Sequence, residues 1–171
     1  GLAAPADPLE AAKKLNDENR KCVECHFKPG MDVNKVYDWA KSKHAGAGIG
    51  CTVCHERLEG AKPDQALGQY MPAVSPNKCG MCHRGQAEQF KKSKHARTWE
   101  MQTDVVRDPW LKGMNSDIER ATGCYQCHGS DLSSGKFTIE NWPNKGIGRK
   151  NPDGSAGSCA ACHTSHRFSI A

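Results

Sequence analysis

The chain has 171 residues, a formal net charge of +5 and a hydrophobic fraction of 37%, and its mean hydropathy is −0.73. This composition is poor for an ordinary side-chain core, since only four Phe are present, and something other than side chains is expected to supply apolar volume. No run of about 18 apolar residues occurs, so the sequence predicts no transmembrane helix.

Residues 1–21 are predicted to form an N-terminal helix or arm. Asp7, Pro8 and Glu10 are typical of an N-cap, a first helical position and a capping box, and the helix is predicted to continue to Lys21. The start of the chain is short, small and uncharged, which we interpret as a mature N terminus that remains after a signal peptide has been cleaved.

Hydrophobic periodicity predicts a second helix over residues 33–44 and a third over residues 86–101. Residues 129–157 are rich in Gly, Ser, Asn and Pro, a composition typical of loops. No segment alternates well enough to predict a sheet. The expected fold class is therefore mainly α with extensive irregular loops.

The ten cysteines form five C-x-x-C pairs, and each pair is followed at once by a histidine. This C-x-x-C-H motif is the attachment signature of c-type haem. Two thiols add to the two vinyl groups of the porphyrin, and the next imidazole binds the iron. The cysteines are Cys22 and Cys25, Cys51 and Cys54, Cys79 and Cys82, Cys124 and Cys127, and Cys159 and Cys162. The proximal histidines are His26, His55, His83, His128 and His163.

Two other interpretations of the cysteines compete with haem. A disulfide framework gives no reason for a histidine at the same place in every motif. Zinc sites built from C-x-x-C need a second pair, and an odd number of pairs fits this poorly. The sequence therefore predicts five covalently attached c-type haems. We predict a single pentahaem domain over residues 1–171, with residues 22–171 as the haem-binding body and porphyrins forming the core.

Haem changes both the charge and the expected location. Five haems add about −10 through their propionates and about +1 for each ferric centre, so the oxidised protein is expected to be near neutral. This removes the basis for nucleic-acid binding, and the lysines are expected to neutralise propionates or dock an acidic redox partner. Because bacteria attach haem c outside the cytoplasm, a periplasmic or extracellular location is predicted.

Three histidines lie outside the motifs: His44, His95 and His166. Bis-histidine ligation suits electron-transfer haems, whereas an open position suits chemistry, and each of the three is predicted to be a distal ligand. His166 follows His163 by three residues, so it is expected to serve a different haem. Two irons then remain open, bind methionine, or bind a group outside the chain.

For the methionines we favour packing against porphyrin faces over ligation. They are Met31, Met71, Met81, Met101 and Met114.

Taken together, these segments resemble the N-terminal haem domain of the octahaem hydroxylamine oxidoreductase family over about residues 20–170. The matching segments are Cys22 to His26, Trp39 to Ala45, Gly50 to His55, Met71-Pro72 ahead of Cys79 to His83, Gly123 to His128, and Cys159 to Ser169. The resemblance implies bis-histidine haem wires, with His44, His95 and His166 at distal-ligand positions. It also implies an open, catalytic fourth haem at His128, where hydroxylamine or hydrazine would lose electrons.

The sequence ends at Ala171, after the fifth motif, so we expect a form of that family truncated after the fifth haem. Its last three haems and C-terminal helical domain are then expected to be missing. The Asp-His pair over the catalytic haem and the crosslinking tyrosine are expected to be missing as well. Tyr37, Tyr70 and Tyr125 do not occupy the place of that tyrosine.

Three functions follow from the sequence. The favoured one is a pentahaem electron carrier rather than an enzyme, whose subunits could stack into a polymeric extracellular conduit and hand electrons to redox partner proteins. The alternative is a hydroxylamine- or hydrazine-type oxidoreductase at the haem of Cys124, Cys127 and His128. A third is a subunit that needs a separately encoded C-terminal half.

Overall fold

The computed structural model describes residues 7–61, 70–99, 129–135 and 146–169. Within these ranges the α-helices are α1 (Pro8–Ala12), α2 (Asp17–His26), α3 (Val33–Ala40), α4 (Lys43–Gly46), α5 (Pro76–Gly80) and α6 (Arg84–Lys92). Short 3-10 helices lie at Cys51–Val53, Lys94–Arg97 and Cys159–Ala161. Extended pairing in the described ranges is limited to isolated bridges. The predicted fold class, mainly α with irregular loops, is confirmed.

The first helix begins as the sequence predicts. The Asp7 carboxylate accepts a hydrogen bond from the Leu9 amide at 2.8 Å, and Pro8 occupies the first turn. The predicted capping box is wrong, because the Glu10 carboxylate instead accepts from the Lys13 ammonium at 2.6 Å. An exposed ion pair of this kind replaces the return bond to the backbone.

The prediction of one continuous helix to Lys21 is also wrong. Helix α1 ends at Ala12, and α2 begins at Asp17. Between them the Asn16 side chain accepts from the Asn19 amide at 3.0 Å, which caps a new helix. Because α2 begins later, it runs through the first C-x-x-C-H motif.

A Ser-Lys-His-Ala sequence occurs twice, and each copy interrupts a helix that the sequence predicts to be continuous. Ser42 and Ser93 both adopt extended backbone, with ψ of 158° and 157°. Helices α3 and α6 end before them, and His44 and His95 lie on separate short helices. The Ser42 hydroxyl accepts from the Ala45 amide at 3.1 Å. The predicted end of the third helix at residue 101 lies outside the described residues.

The chain divides into two compact units, Gly1–Met71 with Cys162–Ala171 and Pro72–Ala161. The prediction of a single domain stays a prediction. No helix among the residues described here is long and apolar enough to cross a membrane.

The described side-chain core of the first unit is small. It consists of Ala11, Ala12, Leu15, Val23, Val36, Trp39, Ala40 and Ala45. Four of these eight residues are alanine, so side chains supply little apolar volume. The Trp39 indole spans this core and donates to the Ile49 carbonyl at 2.9 Å.

The described interior of the second unit is largely polar. Its buried residues include Ser75, Ser130, Leu132, Arg149, Asn151 and Ser158. The segment that follows the fourth motif pairs with the segment that precedes the fifth, since the Lys150 amide donates to the Ser130 carbonyl at 3.0 Å. Gly129 packs so closely on this segment that a Cβ at this position would lie 2.3 Å from the backbone nitrogen of Arg149.

Candidate haem-binding sites

Four of the five motifs lie among the described residues. The first lies in α2, the second and fifth in the 3-10 helices Cys51–Val53 and Cys159–Ala161, and the third at the end of α5. All eight described cysteines are free thiols, the form that thioether attachment requires. The fourth motif, Cys124, Cys127 and His128, lies outside the described residues.

His55 of the second motif is oriented by a backbone carbonyl. Its Nδ1 lies 2.8 Å from the Met71 carbonyl oxygen. A hydrogen bond from Nδ1 to this carbonyl fixes the tautomer and leaves Nε2 for a metal, as is usual for metal-binding histidines. Met71 therefore acts through its backbone here, a role that no sequence pattern indicates.

His166 lies beside His55. Their ring centroids are 6.0 Å apart and their planes differ by 16°. A metal–imidazole bond is about 2 Å long, so two imidazoles on opposite sides of one iron have centroids roughly 6 Å apart. The separation is compatible with one haem iron between these rings. The residues of the second motif therefore fit a bis-histidine haem.

The loop that carries His166 is held by its own hydrogen bonds. The Phe168 amide donates to the Thr164 carbonyl at 2.9 Å, and the Ser169 amide donates to the Thr164 hydroxyl at 3.2 Å. His166 itself has a positive φ of 69°. Burial lowers the pKa of His166 to about 4, and the neighbouring His55 ring adds to this effect. The ring is therefore neutral at pH 7, the form that binds a metal.

The other two predicted distal ligands have different surroundings. The His44 ring contacts Phe168 edge-on, with centroids 4.4 Å apart and planes at 82°. His95 is exposed, and its backbone carbonyl accepts from the Thr98 hydroxyl at 3.1 Å. The ligand roles of His44, His95 and His166 all stay predictions.

Each unit brings the first cysteines of two motifs together. In the first unit the Cys51 thiol donates to Cys22 and lowers the pKa of that thiol to about 7. In the second unit Cys159 does the same to Cys79, whose pKa is also about 7. The vinyl-derived edges of two haems would meet at each pair. Sequence separation gives no signal for either pairing.

Asn19 clamps the first motif to the second. It is 4% exposed, and its Nδ2 donates to Asn16 Oδ1 at 2.8 Å and to Thr52 Oγ1 at 2.9 Å. Its Oδ1 accepts from the Thr52 amide at 2.8 Å. Gly50 leaves room for it, because a Cβ there would lie 2.6 Å from Asn19 Cγ.

A polar network performs the same task in the second unit. The Asp153 carboxylate accepts from the Ser75 hydroxyl at 2.6 Å and from the side-chain Nδ2 of Asn77 at 3.1 Å. Partial burial would raise the pKa of Asp153, but hydrogen bonds from Ser155 and Ser75 outweigh it and lower that pKa. This network joins the turn before the fifth motif to the start of the helix that carries the third.

An exposed cleft of about 450 Å³ lies beside the second motif, lined by Glu18, Thr52, His55, Glu56, Arg57 and Tyr70. The Tyr70 hydroxyl donates to Glu18 at 2.5 Å, and Arg57 donates to Glu18 at 3.0 Å. These bonds from Tyr70 and Arg57 lower the pKa of Glu18. The cluster links α2 to the chain after the second motif.

Comparisons with known proteins agree with this chemistry. The chain is 26% identical to a probable nitrite reductase-hydroxylamine oxidoreductase fusion protein of Kuenenia stuttgartiensis, over 84% of this chain and 19% of that protein. A solved structure described as a hypothetical multiheme protein superposes with a TM-score of 0.68 at 26% identity, over 95% of this chain and 42% of that one. The chain thus spans less than half of either relative.

The family described as cytochrome c554 and c-prime matches residues 4–56 and 78–164. These ranges hold all five C-x-x-C-H motifs in full. The chain belongs to the cytochrome c554 and c-prime family and is a multihaem c-type cytochrome with covalently bound haem, related to hydroxylamine oxidoreductase-like proteins.

Proposed function

We propose that this protein is a pentahaem electron carrier of the periplasm or the cell exterior, which passes single electrons between redox partner proteins. The observation that carries the proposal is the placement of the His55 and His166 rings 6.0 Å apart with nearly parallel planes. Two imidazoles at this spacing could hold one iron from both sides and would then leave no axial position for a substrate.

The cofactor supplies one-electron chemistry, and the chain supplies position and surroundings. Met71 orients His55 through its carbonyl, and the Thr164–Ser169 loop presents His166 from the other side. The contacts between Cys22 and Cys51 and between Cys79 and Cys159 would bring the edges of two attached haems together at each pair. Closely paired edges favour transfer between haems over reaction with a substrate.

The number of haems comes from the five motifs in the sequence. Mass spectrometry of the intact holoprotein measures it directly, and five haem masses per chain are expected. A mass increment of four or fewer haems on the fully processed protein would contradict the pentahaem assignment.

The test of the electron-carrier proposal is spectroscopic. Replacing His166 by Ala should convert one low-spin haem per chain to high-spin in the electron paramagnetic resonance spectrum of the oxidised protein. All haems should stay attached, because the thioethers at Cys51 and Cys54 are untouched. The neighbouring exposed Arg167→Ala is the matched control and should leave the spectrum unchanged.

Two results would count against the proposal. An unchanged spectrum in the His166 variant would remove the bis-histidine haem. A stoichiometric high-spin haem in the native protein, together with hydroxylamine-dependent reduction of an acceptor, would favour the alternative oxidoreductase at His128.

We further propose that subunits of this carrier can associate end to end into a conduit. Electron microscopy of the concentrated holoprotein should show filaments or regular oligomers. Dispersed monomers at high concentration would end this part of the proposal and leave the electron-carrier function intact.

A further inference from the structure

Arg149 is a buried cation near the thiols of Cys79 and Cys159, where two haems would be attached. It is 4% exposed, and two of the hydrogen bonds of its guanidinium go to neutral groups. Nε donates to Asn151 Oδ1 at 2.8 Å, and Nη2 donates to the Val74 carbonyl at 2.6 Å. Both bonds fix the group between the approach to the third motif and the approach to the fifth.

The charge of Arg149 acts on both thiols of the Cys79–Cys159 pair. It stabilises the thiolate of Cys79 and that of Cys159, and Asp153 is the acidic group that acts on it in turn. Burial lowers the pKa of Arg149 to about 10, so the guanidinium remains charged at neutral pH. Haem attachment converts these thiols to neutral thioethers, after which the positive charge faces two porphyrin edges.

We propose that Arg149 raises the reduction potentials of the haems attached at Cys79 and Cys159 and makes them preferred electron acceptors within the chain. Reduction adds one negative charge to a haem, and a fixed cation in a site shielded from water stabilises that charge. The propionates of these haems lie at the porphyrin edge opposite the thioethers, so they do not neutralise the cation. An electron that first reduces another haem of the chain then moves to this pair. That haem returns to the ferric state, and a ferric haem of the pair becomes ferrous.

Among its described residues, the first unit has no buried cation beside the Cys22–Cys51 pair. There the Cys22 and Cys51 pair is clamped by the neutral amide of Asn19. The nearby Glu18 is paired with Arg57 at 3.0 Å on the exposed surface, so their charges offset each other. The two pairs are thus held by side chains of similar geometric role and different charge.

The inference rests on the proposed electron-carrier function and is tested by redox titration of the holoprotein followed in the visible spectrum. A unit charge held roughly 10 Å from an iron, at an effective dielectric constant of about 20, changes the equilibrium constant for reduction by about tenfold. Arg149→Gln, which keeps a donor and loses the charge, should lower this constant about tenfold for up to two haems. Arg149→Lys should stay close to the native protein.

Two further variants separate charge from structure. Asp153→Asn removes the opposing carboxylate and should shift the same haems to higher potential. Arg20→Gln is the matched control, because Arg20 is half-exposed near the first motif, is paired with Asp17, and should leave every potential unchanged.

Equal shifts in Arg149→Gln and Arg149→Lys would assign Arg149 a purely structural role and overturn the inference. Unchanged potentials in Arg149→Gln with full haem content would overturn it as well. If Arg149→Gln does not fold, an unchanged or lowered potential in Asp153→Asn has the same meaning. Failure of the proposed function is distinguishable, since it would appear as a native protein that is not reversibly reduced by one-electron donors.

Discussion

The Asn19 clamp can be broken by one substitution. Asn19→Ala removes three side-chain hydrogen bonds, two donated by Nδ2 to Asn16 and Thr52 and one accepted from the Thr52 amide. Each is worth about 0.5–1.5 kcal/mol net. The better helix propensity of Ala returns roughly half a kcal/mol. We therefore expect the first unit to lose about 2–3 kcal/mol of local stability.

Hydrogen exchange of the holoprotein, followed by mass spectrometry, measures this loss where it occurs. The peptide that contains Thr52 should exchange roughly 30- to 150-fold faster, which corresponds to about 2–3 kcal/mol. Asn34→Ala is the control, because Asn34 is exposed on α3 and should change stability little. Equal exchange at Thr52 in both variants would refute the clamp.

A second variant tests the contact from the other side. Gly50→Ala places a Cβ 2.6 Å from Asn19 Cγ and 2.9 Å from its Cβ. The loss of stability caused by Gly50→Ala should be smaller in an Asn19→Ala background, because only the contact with the Cβ of residue 19 remains. Identical costs in both backgrounds would show that the side chains do not lie against each other.

Two other substitutions test particular contacts by denaturant unfolding. Trp39→Phe removes the bond to the Ile49 carbonyl and should cost about 1–2 kcal/mol; an unchanged midpoint would contradict that bond. Gly129→Ala should cost about 3 kcal/mol or more, because φ is +96° and a Cβ would lie 2.3 Å from the Arg149 nitrogen. Gly154→Ala, with φ of +77° and open space, should cost about 1–2 kcal/mol, and an equal cost at both positions would contradict the close packing.

The attachment residues can be predicted from the sequence because their chemistry is local. Two thiols and an imidazole must lie within one turn, and five contiguous residues encode that turn. The helix ends were predicted less well. Asn16, Ser42 and Ser93 interrupt apolar periodicities that continue across them, and a short polar side chain before a new turn was the available signal.

The partners of each motif could not be predicted from the sequence. Cys22 and Cys51 lie 29 residues apart, and Cys79 and Cys159 lie 80 apart, with no pattern linking them. His166 was expected to serve a haem other than its neighbour, and only the structure places it beside His55. The role of the Met71 carbonyl is a backbone property that any residue could supply.

The polar clamps have a common cause in the shortage of apolar side chains. The described core of the first unit, eight residues of which four are alanine, cannot by itself fix the separation between two motifs. Buried amide and guanidinium groups can, since each of their hydrogen bonds is directional and costly to leave unmade. A clamp made in this way brings its own dipole or charge to the haem edges that it positions. Asn19 therefore positions one haem pair without charge, whereas Arg149 can position the other and set its potential at once.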